Sequence, residues 1–332
     1  MNNYSPVRVG IAGATGYAGV ELLRRLARHP GADVRLAMGS STSEARRVPA
    51  LSRIWDAPVL PFDLDRLASE SDAVFLAVPE TLAAEVAPEL AKRGARVLDL
   101  SGAFRLKDEA ERRRWYPHSP AVEVAIAYGL TEQNRGALTK APLIACAGCY
   151  PTAALLALQP LAAAGAIQPG GIVIDAKSGI SGAGKTPSER THFSECHGSI
   201  SAYGVFAHRH AAEIEQGLGM AVTFVPHLVP LDRGIFETIY ARLSPGVGEA
   251  EVGALLRAAY DQSPFVRLTG GDLPQIKHVV HTNFCDIGWR ADRPGGQLVL
   301  VACIDNLVKG AAGQAIQNFN VAFGFDETLG LQ

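Results

Sequence analysis

Gly13, Gly16 and Gly19 constrain this chain more than any other feature. They stand in Gly13-Ala14-Thr15-Gly16-Tyr17-Ala18-Gly19, directly after the apolar run Val7 to Ala12 and just ahead of Val20 to Ala27, whose apolar residues recur at helical spacing. A strand that passes through a GxxGxxG loop into a helix opens a dinucleotide-binding unit. Glycine lets the backbone turn tightly and approach a pyrophosphate, and the helix behind it aims its free N–H groups at that charge. Gly13, Thr15, Gly16, Tyr17 and Gly19 are therefore candidate cofactor contacts. A plain tight turn also uses glycine; the flanking strand and helix favour the nucleotide site.

The pattern then repeats. Val34 to Met38 reads as a second strand, and Ala73 to Val78 as a buried parallel strand stopped by Pro79. Thr81 to Lys92 reads as a helix closed by Gly94, and Arg96 to Leu100 as the next strand. Such alternation implies a doubly wound sheet with right-handed crossovers. After about residue 147 the pattern changes. A long apolar helix, Pro151 to Ala164, precedes strand-like runs at Gly171 to Ala176, Val222 to Val225, Ile235 to Leu243 and Gln297 to Ile304. These alternate less with helices, so a mixed or antiparallel sheet is expected. The last helix, about Gly310 to Ala322, is expected to pack back on the first domain. The chain of 332 residues suits two domains. The fold expected is α/β: a Rossmann-type doubly wound parallel sheet over residues 1–147, completed by a C-terminal helix of about 306–332, plus an α+β catalytic and oligomerisation domain with a mixed sheet over 148–305.

A formal net charge of -2 gives no large basic surface, which argues against nucleic acid or an anionic membrane as partner. No apolar run approaches the length of a membrane span, and the polar stretch Met1 to Val7 does not read as a secretory leader. The five cysteines, Cys146, Cys149, Cys196, Cys285 and Cys303, are an odd and sparse set. That argues against a disulfide framework and for a reducing compartment, so a cytoplasmic protein is expected.

The end of the second strand bears on the choice of cofactor. An NAD site usually has an Asp or Glu there for the ribose 2′-hydroxyl. This strand leads into Met38-Gly39-Ser40-Ser41-Thr42, with Arg46 and Arg47 following. Hydroxyls and arginines suit a 2′-phosphate, so NADP(H) is expected, with Ser40, Thr42 and Arg46 as contacts. A solvated helix face is the other reading of the arginines. Pro79, where the third strand stops, is a further candidate cofactor contact.

Cys149 lies in Ala147-Gly148-Cys149-Tyr150-Pro151-Thr152, just ahead of the long apolar helix. A cysteine at a helix N-terminus feels the positive end of the dipole, which favours the thiolate, and first-turn amides can serve as an oxyanion hole. Cys149 is the candidate nucleophile. Cys146 makes a CxxC with it, which also fits redox chemistry or half a zinc site, although no second CxxC exists.

Phe206-Ala207-His208-Arg209-His210, followed by Glu213, is dense in titratable groups. A thiol nucleophile needs a proton carrier, and His208 and His210 are the candidates. Two histidines two apart on a helix diverge, so one of them is expected to face the thiol. A zinc pair is the competing reading, without convincing further ligands, so no metal is expected. Lys177-Ser178-Gly179-Ile180-Ser181-Gly182-Ala183-Gly184-Lys185 is rich in backbone donors and carries two lysines, as an anion cradle needs. Ser178 and Gly179 are assigned to the cofactor, Ser181 and Lys185 to the substrate. The segment matches a P-loop by letter, but a hydride enzyme already has its phosphate site. Ser101-Gly102-Ala103-Phe104-Arg105 ends another strand at the carboxyl edge of the sheet. Ser101 and Arg105 are candidate substrate contacts there, the arginine as a bidentate clamp; a surface arginine is the alternative.

At these motifs the chain resembles the N-acetyl-gamma-glutamyl-phosphate reductases of arginine biosynthesis. The resemblance rests on GATGYAG at 13–19, SGAFRL at 101–106, GCYPT at 148–152 and KSGISGAGK at 177–185, and continues through HRHAAEI at 208–214, VPHLVPLDRGI at 225–235 and NLVKGAAGQAIQN at 306–318. It covers nearly the whole chain. Aspartate-semialdehyde dehydrogenases are similar in architecture with a different cysteine motif. The resemblance implies NADPH-dependent reduction of an acyl phosphate through a Cys149 thioester, with release of phosphate and a histidine of the 208–210 pair as acid/base. It implies a homo-oligomer, dimer or tetramer. It also implies that the segment from Asn306 to Gln314 returns to the cofactor, with Asn306 and Lys309 as contacts, and it assigns Arg209 to the substrate. The family commonly has an Asn-Pro or similar pair before Gly-Cys, where this chain has Cys146-Ala147. A reductase of N-acetyl-aminoadipyl or aspartyl phosphate, or a non-catalytic NADP-binding regulator, would share much of this pattern; the regulator would have no need of Cys149 and both histidines.

Overall fold

The computed structural model describes residues 5–42, 44–121 and 123–332. The first four residues of the polar start of the chain lie outside them. Residues cluster into two units, one formed by Met1–Ala147 with Ala311–Gln332 and the other by Gly148–Gly310.

In the first unit β1 (Val7–Ala12), β2 (Ala32–Met38), β3 (Ala73–Leu76), β4 (Arg96–Asp99), β5 (Ile126–Gly129) and β6 (Leu143–Cys146) form one sheet in the order β2-β1-β3-β4-β6-β5. Every pair is parallel. A parallel strand is covered on both faces, which is why β3 and β6 are apolar without alternation and buried throughout. The intervening helices are α1 (Tyr17–Leu26), α2 (Leu64–Glu70), α3 (Glu80–Lys92), α4 (Glu109–Trp115) and α5 (Thr131–Leu138). Asp63 and Asp108 cap α2 and α4, each accepting the backbone N–H of the third residue of its helix. β2 lies on one side of β1 and β3 on the other, so the winding reverses at β1. In such sheets that reversal opens a crevice at the carboxyl ends of the strands.

The second unit begins with α6 (Cys149–Ala163) and continues through β7 (Ile172–Gly179), a short helix α7 (Phe193–Cys196), β8 (Ser201–Ala202), α8 (Arg209–Leu218), β9 (Val222–Val229), β10 (Ile235–Arg242), α9 (Glu249–Tyr260), β11 (Val266–Gly270), β12 (Cys285–Ala291) and β13 (Gln297–Ile304). The seven strands run β11-β12-β13-β10-β7-β9-β8, with β11/β12 and β7/β9 parallel and the remaining pairs antiparallel. The sheet is therefore mixed. α6 packs on β10 and β13 and against α8 and α9, so it is buried on nearly all sides. This is why its sequence is apolar without a polar stripe. Close contacts fix these helices: Gly217 of α8 has no room for a side chain against Leu155, and the Tyr260 hydroxyl donates to the Leu156 carbonyl at 2.7 Å.

The chain then returns to the first unit as α10 (Gly313–Ala322). Its polar residues are buried and bonded: Asn318 Nδ2 donates to the Gly129 carbonyl at 2.9 Å, Thr131 Oγ1 to Asn318 Oδ1 at 2.7 Å and Gln314 Nε2 to Thr131 Oγ1 at 2.8 Å. Buried polar groups without partners would cost about 1–3 kcal/mol each.

Candidate active site

In the first unit the glycine loop closes the end of β1. Gly13 sits at φ +83, and a Cβ there would overlap the Ala77 carbonyl oxygen. A Cβ at Gly19 would overlap the Gly13 carbonyl. The loop is drawn to β2 by the Gly13 and Ala14 N–H groups, both donating to the Met38 carbonyl. Gly16 N-caps α1, which has no side-chain cap and no acidic residue in its first turn, leaving the positive end of its dipole uncompensated by its own sequence. α1 thus begins at Tyr17, ahead of the first apolar-periodic residue. Thr15 lies inside the turn and Tyr17 is exposed at its rim. A loop with side chains excluded at two positions and an open helix N-terminus fits a dinucleotide pyrophosphate. Pro79 N-caps α3 beside it, following the Ala77 carbonyl that Gly13 abuts.

Ser40 and Thr42 are exposed past β2, their hydroxyls 2.9 Å apart. Arg46 belongs to no helix; its backbone bridges Val59 in an antiparallel pair and its side chain is exposed. Ser101 and Arg105 also belong to this unit, and both are held by it. The Ser101 hydroxyl donates to the buried Asp99 carboxylate at 2.9 Å. Arg105 is buried, with Nε on the Cys146 carbonyl at 2.7 Å and Nη2 on the Leu100 carbonyl at 2.8 Å, so it ties the end of β4 to the end of β6. Cys146 is itself buried, and burial pushes its thiol up to about 12. It therefore stays a protonated thiol at neutral pH, a poor redox partner for its neighbour.

In the second unit Cys149 is the first residue of α6, with Gly148 as N-cap. The Thr152 N–H and hydroxyl both reach the Gly148 carbonyl, at 2.9 and 2.8 Å, and Pro151 has no N–H. The side chain after the cysteine, Tyr150, is the hub of an aromatic cluster. Its ring stands edge-on to His208 and His210, each 5.9 Å away between centroids, and to Phe224 at 5.2 Å. Its hydroxyl lies 3.3 Å from that of Tyr203.

The histidines were expected to diverge along a helix. They do not: their ring centroids are 4.8 Å apart. His208 is not in the helix but is the N-cap of α8, with extended backbone (φ -105, ψ 125), and only His210 is helical. The capping bond runs from the His210 N–H to His208 Nδ1 at 3.1 Å. An accepting Nδ1 carries no proton, so the neutral His208 ring bears its proton on Nε2 and offers a donor there. Burial, with Arg209 adding to it, lowers the His208 pKa to about 4, which keeps the ring neutral. One turn further along α8, Glu213 is buried, and its Oε1 accepts the Gly148 N–H at 2.8 Å.

The expected anion loop is partly strand. β7 runs on through Lys177, Ser178 and Gly179, paired with His227, Leu228 and Val229 of β9. A 3-10 turn over Ile180–Ala183 follows, and no helix starts at Lys185, as a P-loop would need. Lys177 is paired with Asp175 at 2.5 Å. Asn306 Nδ2 donates to Ser181 Oγ at 2.9 Å, and its Oδ1 accepts the Gly234 N–H at 2.8 Å. Ser178 and Gly179 thus lead into the turn that holds Ser181, and Asn306 is bonded to that turn through Ser181. Lys309 is fully buried, its Nζ 5.8 Å from the centre of the Phe265 ring. Lys185 and Arg209 are exposed. Among the described residues no three His, Cys, Asp or Glu side chains gather as metal ligands would. Sequence reasoning missed Gly310, whose Cα faces Cys149, and it noted Glu213 without giving it a task.

The model of the semialdehyde dehydrogenase NAD binding domain matches residues 8–141, and that of the semialdehyde dehydrogenase dimerisation domain matches 149–306. Aspartate semialdehyde dehydrogenase II of Vibrio cholerae, complexed with ASA, superposes with a TM-score of 0.73 at 20% identity, over 96% of this chain and 98% of that one. The Candida albicans aspartate semialdehyde dehydrogenase with NADP gives 0.70 at 18%, over 96% and 99%. At such identities the likeness is one of fold. The protein is thus a two-unit, dinucleotide-binding chain of the semialdehyde dehydrogenase class. Among curated relatives, the N-acetyl-gamma-glutamyl-phosphate reductases of Shouchella clausii and Desulforudis audaxviator are 45% and 46% identical, each over 98% of both chains. The chain belongs to the N-acetyl-gamma-glutamyl-phosphate reductase family.

Proposed function

We propose that this chain reduces N-acetyl-gamma-glutamyl phosphate to N-acetylglutamate 5-semialdehyde, releasing phosphate, as a step of arginine biosynthesis. The observation that carries the reading is Cys149 opening α6 in the same unit as the His208–His210 pair, with Tyr150 against both rings. The family's activity requires such a nucleophile and proton carrier.

The Gly13–Gly19 turn, with Ser40, Thr42, Arg46 and Pro79, holds NADP(H) in the first unit, and Ser178, Gly179, Asn306 and Lys309 are further candidate contacts. Bound NADPH supplies the hydride that reduces the acyl carbon. Cys149 gives up its thiol proton, and Sγ bonds to the γ-acyl carbon of the substrate. The bond from that carbon to the phosphate oxygen breaks, and phosphate leaves with the electron pair. Ser101, Arg105, Ser181, Lys185 and Arg209 are the candidate groups for substrate oxygens and the departing charge. The tetrahedral carbon left on Cys149 after reduction expels the sulfur as thiolate, and the aldehyde forms. Splitting acyl transfer from reduction replaces one hard step by two easier ones. His210 is assigned the proton, because His208 spends Nδ1 on its cap and presents Nε2–H; His208 serves as a hydrogen-bond donor.

The chain works as a homo-oligomer, a dimer or tetramer, in the cytoplasm. Support for assembly is the dimerisation-domain match and the exposure of Phe193, Ile200 and Phe206, between 65% and 77% accessible, on the segment ahead of α8. No helix among the described residues is long and apolar enough to cross a membrane.

The test runs the reaction in reverse. Purified protein, N-acetylglutamate 5-semialdehyde, phosphate and NADP⁺ are expected to give phosphate-dependent NADPH that Cys149→Ser abolishes, with aspartate semialdehyde a poor substitute. Tight NADP⁺ binding with no turnover of either aldehyde would sink the proposal.

A further inference from the structure

Glu213 has no part in the chemistry above, yet it is one of the few acids in the second unit that are almost wholly buried, 1% exposed. A carboxylate taken from water needs charge-assisted partners, or burial costs several kcal/mol. One of its partners is the backbone N–H of Gly148, 65 residues away in sequence, at 2.8 Å. Gly148 is the N-cap of α6 and the residue immediately before Cys149. Glycine brings no capping side chain, and α6 has no acidic residue in its own first turn. The side-chain acceptor that usually steadies a helix N-terminus is therefore supplied from another helix.

The helix that supplies it carries the imidazoles. His208 caps α8, His210 lies in its first turn, and Glu213 follows three residues after His210, on the same face. This hydrogen bond ties the turn bearing the thiol directly to the first turns of the helix bearing the proton carrier, beyond the Leu155–Gly217 packing further along the two helices. We propose that Glu213 is a positioning residue for the reaction: by accepting the Gly148 N–H it sets the distance and angle between Cys149 and the histidine pair. The inference rests on Cys149 being the nucleophile. Acceptance of the N–H is what matters, and a carboxamide oxygen can do the same. Glu213 is not itself a proton carrier.

Three variants test this in the full chain carrying Cys196→Ser, which removes the other partly accessible thiol. Glu213→Ala loses the acceptor and is expected to lower kcat about 100-fold, the order of loss that a displacement of about 1 Å brings, with KM little changed. Glu213→Gln keeps an acceptor and is expected to recover most of kcat. Glu213→Asp, one methylene short, is expected to fall between them and covers the case that the alanine variant fails to fold. All are expected to keep the titrating limbs of the wild-type pH–rate profile. A normal kcat in Glu213→Ala or Glu213→Asp overturns the proposal. So does a glutamine variant as inactive as the alanine one, or the loss of a pH limb, since either would make Glu213 an acid/base group. The alkylation rate of Cys149 by iodoacetamide separates this from the reductase reading. It is expected to fall in Glu213→Ala and return in Glu213→Gln even if wild-type protein turns over no acyl phosphate. An unchanged alkylation rate across the variants counts against Glu213.

Discussion

Gly310 lies against Cys149: a Cβ at residue 310 would stand 2.8 Å from the cysteine Cβ and 3.2 Å from its Cα. Real Cβ atoms do not approach so closely, and neither partner is the far end of a flexible side chain. The segment after β13, a stretch of π-helix from Val308 to Ala312, thus brings Gly310 against Cys149. π-Helical turns are rare and cluster at functional sites.

Gly310→Ala is therefore expected to displace the α6 N-terminus without unfolding the protein. Catalysis that depends on placement to within about 1 Å loses on the order of 100-fold in kcat. Steady-state kinetics beside a thermal melt check this. A variant with wild-type kcat would show that the turn yields without moving the thiol.

His208 and His210 are expected to separate by function when each becomes asparagine. Asparagine is among the best N-cap residues, so His208→Asn keeps the α8 cap and a donor while losing the titrating group. It is expected to keep most of kcat and the shape of the pH–rate profile. His210→Asn is expected to lose about 100-fold or more, as befits loss of a general acid or base, together with the corresponding pH limb. The reverse result would move the proton to His208.

The same substitution has a stability consequence with a definite sign. In the folded chain His208 takes up its proton only near pH 4, because burial and then Arg209 disfavour the cation. An unfolded chain takes it up near pH 6.5. As pH falls through that window the unfolded state binds a proton that the native state does not, and stability drops, by up to about 3 kcal/mol at the acid end. His208→Asn removes this contribution. Its melting temperature is expected to decline less than wild type between pH 7 and pH 4.5, measured by circular dichroism.

Much of this was legible in the sequence because it is local. Val7–Ala12, the glycine turn and α1 follow from a contiguous pattern, and Cys149 at a helix N-terminus follows from Gly148 and the apolar run behind it. The mixed character of the second sheet followed from runs that cease to alternate with helices. What stayed hidden depends on contacts distant in sequence. β5 and β6 are four residues each, too short for a periodic signal. The His208–His210 geometry turns on which residue is the cap, and the helical rule of divergence fails when one of the pair lies outside the helix. Glu213 and Gly310 are defined by what they meet across the second unit. Arg105 reads as a clamp in the strand-end motif, whereas its Nε and Nη2 are spent on backbone carbonyls of the first unit.

Glu237 should limit stability rather than activity. It lies in the middle of β10, 0% exposed, between Ala302 of β13 and Ala176 of β7, and neither carboxyl oxygen has a hydrogen-bond partner among the described residues. Burial raises its pKa well above the usual carboxylate value, so the native state holds it as the neutral acid. The unfolded chain ionises near pH 4.3. Stability contributed by the neutral form is therefore full below that pH and is lost progressively as pH rises toward the folded-state value. Glu237→Met keeps the shape of the side chain, removes two unsatisfied oxygens and cannot ionise. It is expected to raise stability by about 1–3 kcal/mol, with a larger gain at pH 8 than at pH 5 and kcat unchanged. Urea titrations at the two pH values give the answer. A gain independent of pH would mean that Glu237 is ionised in the native sheet, and a loss would mean that its carboxyl group is hydrogen-bonded in solution.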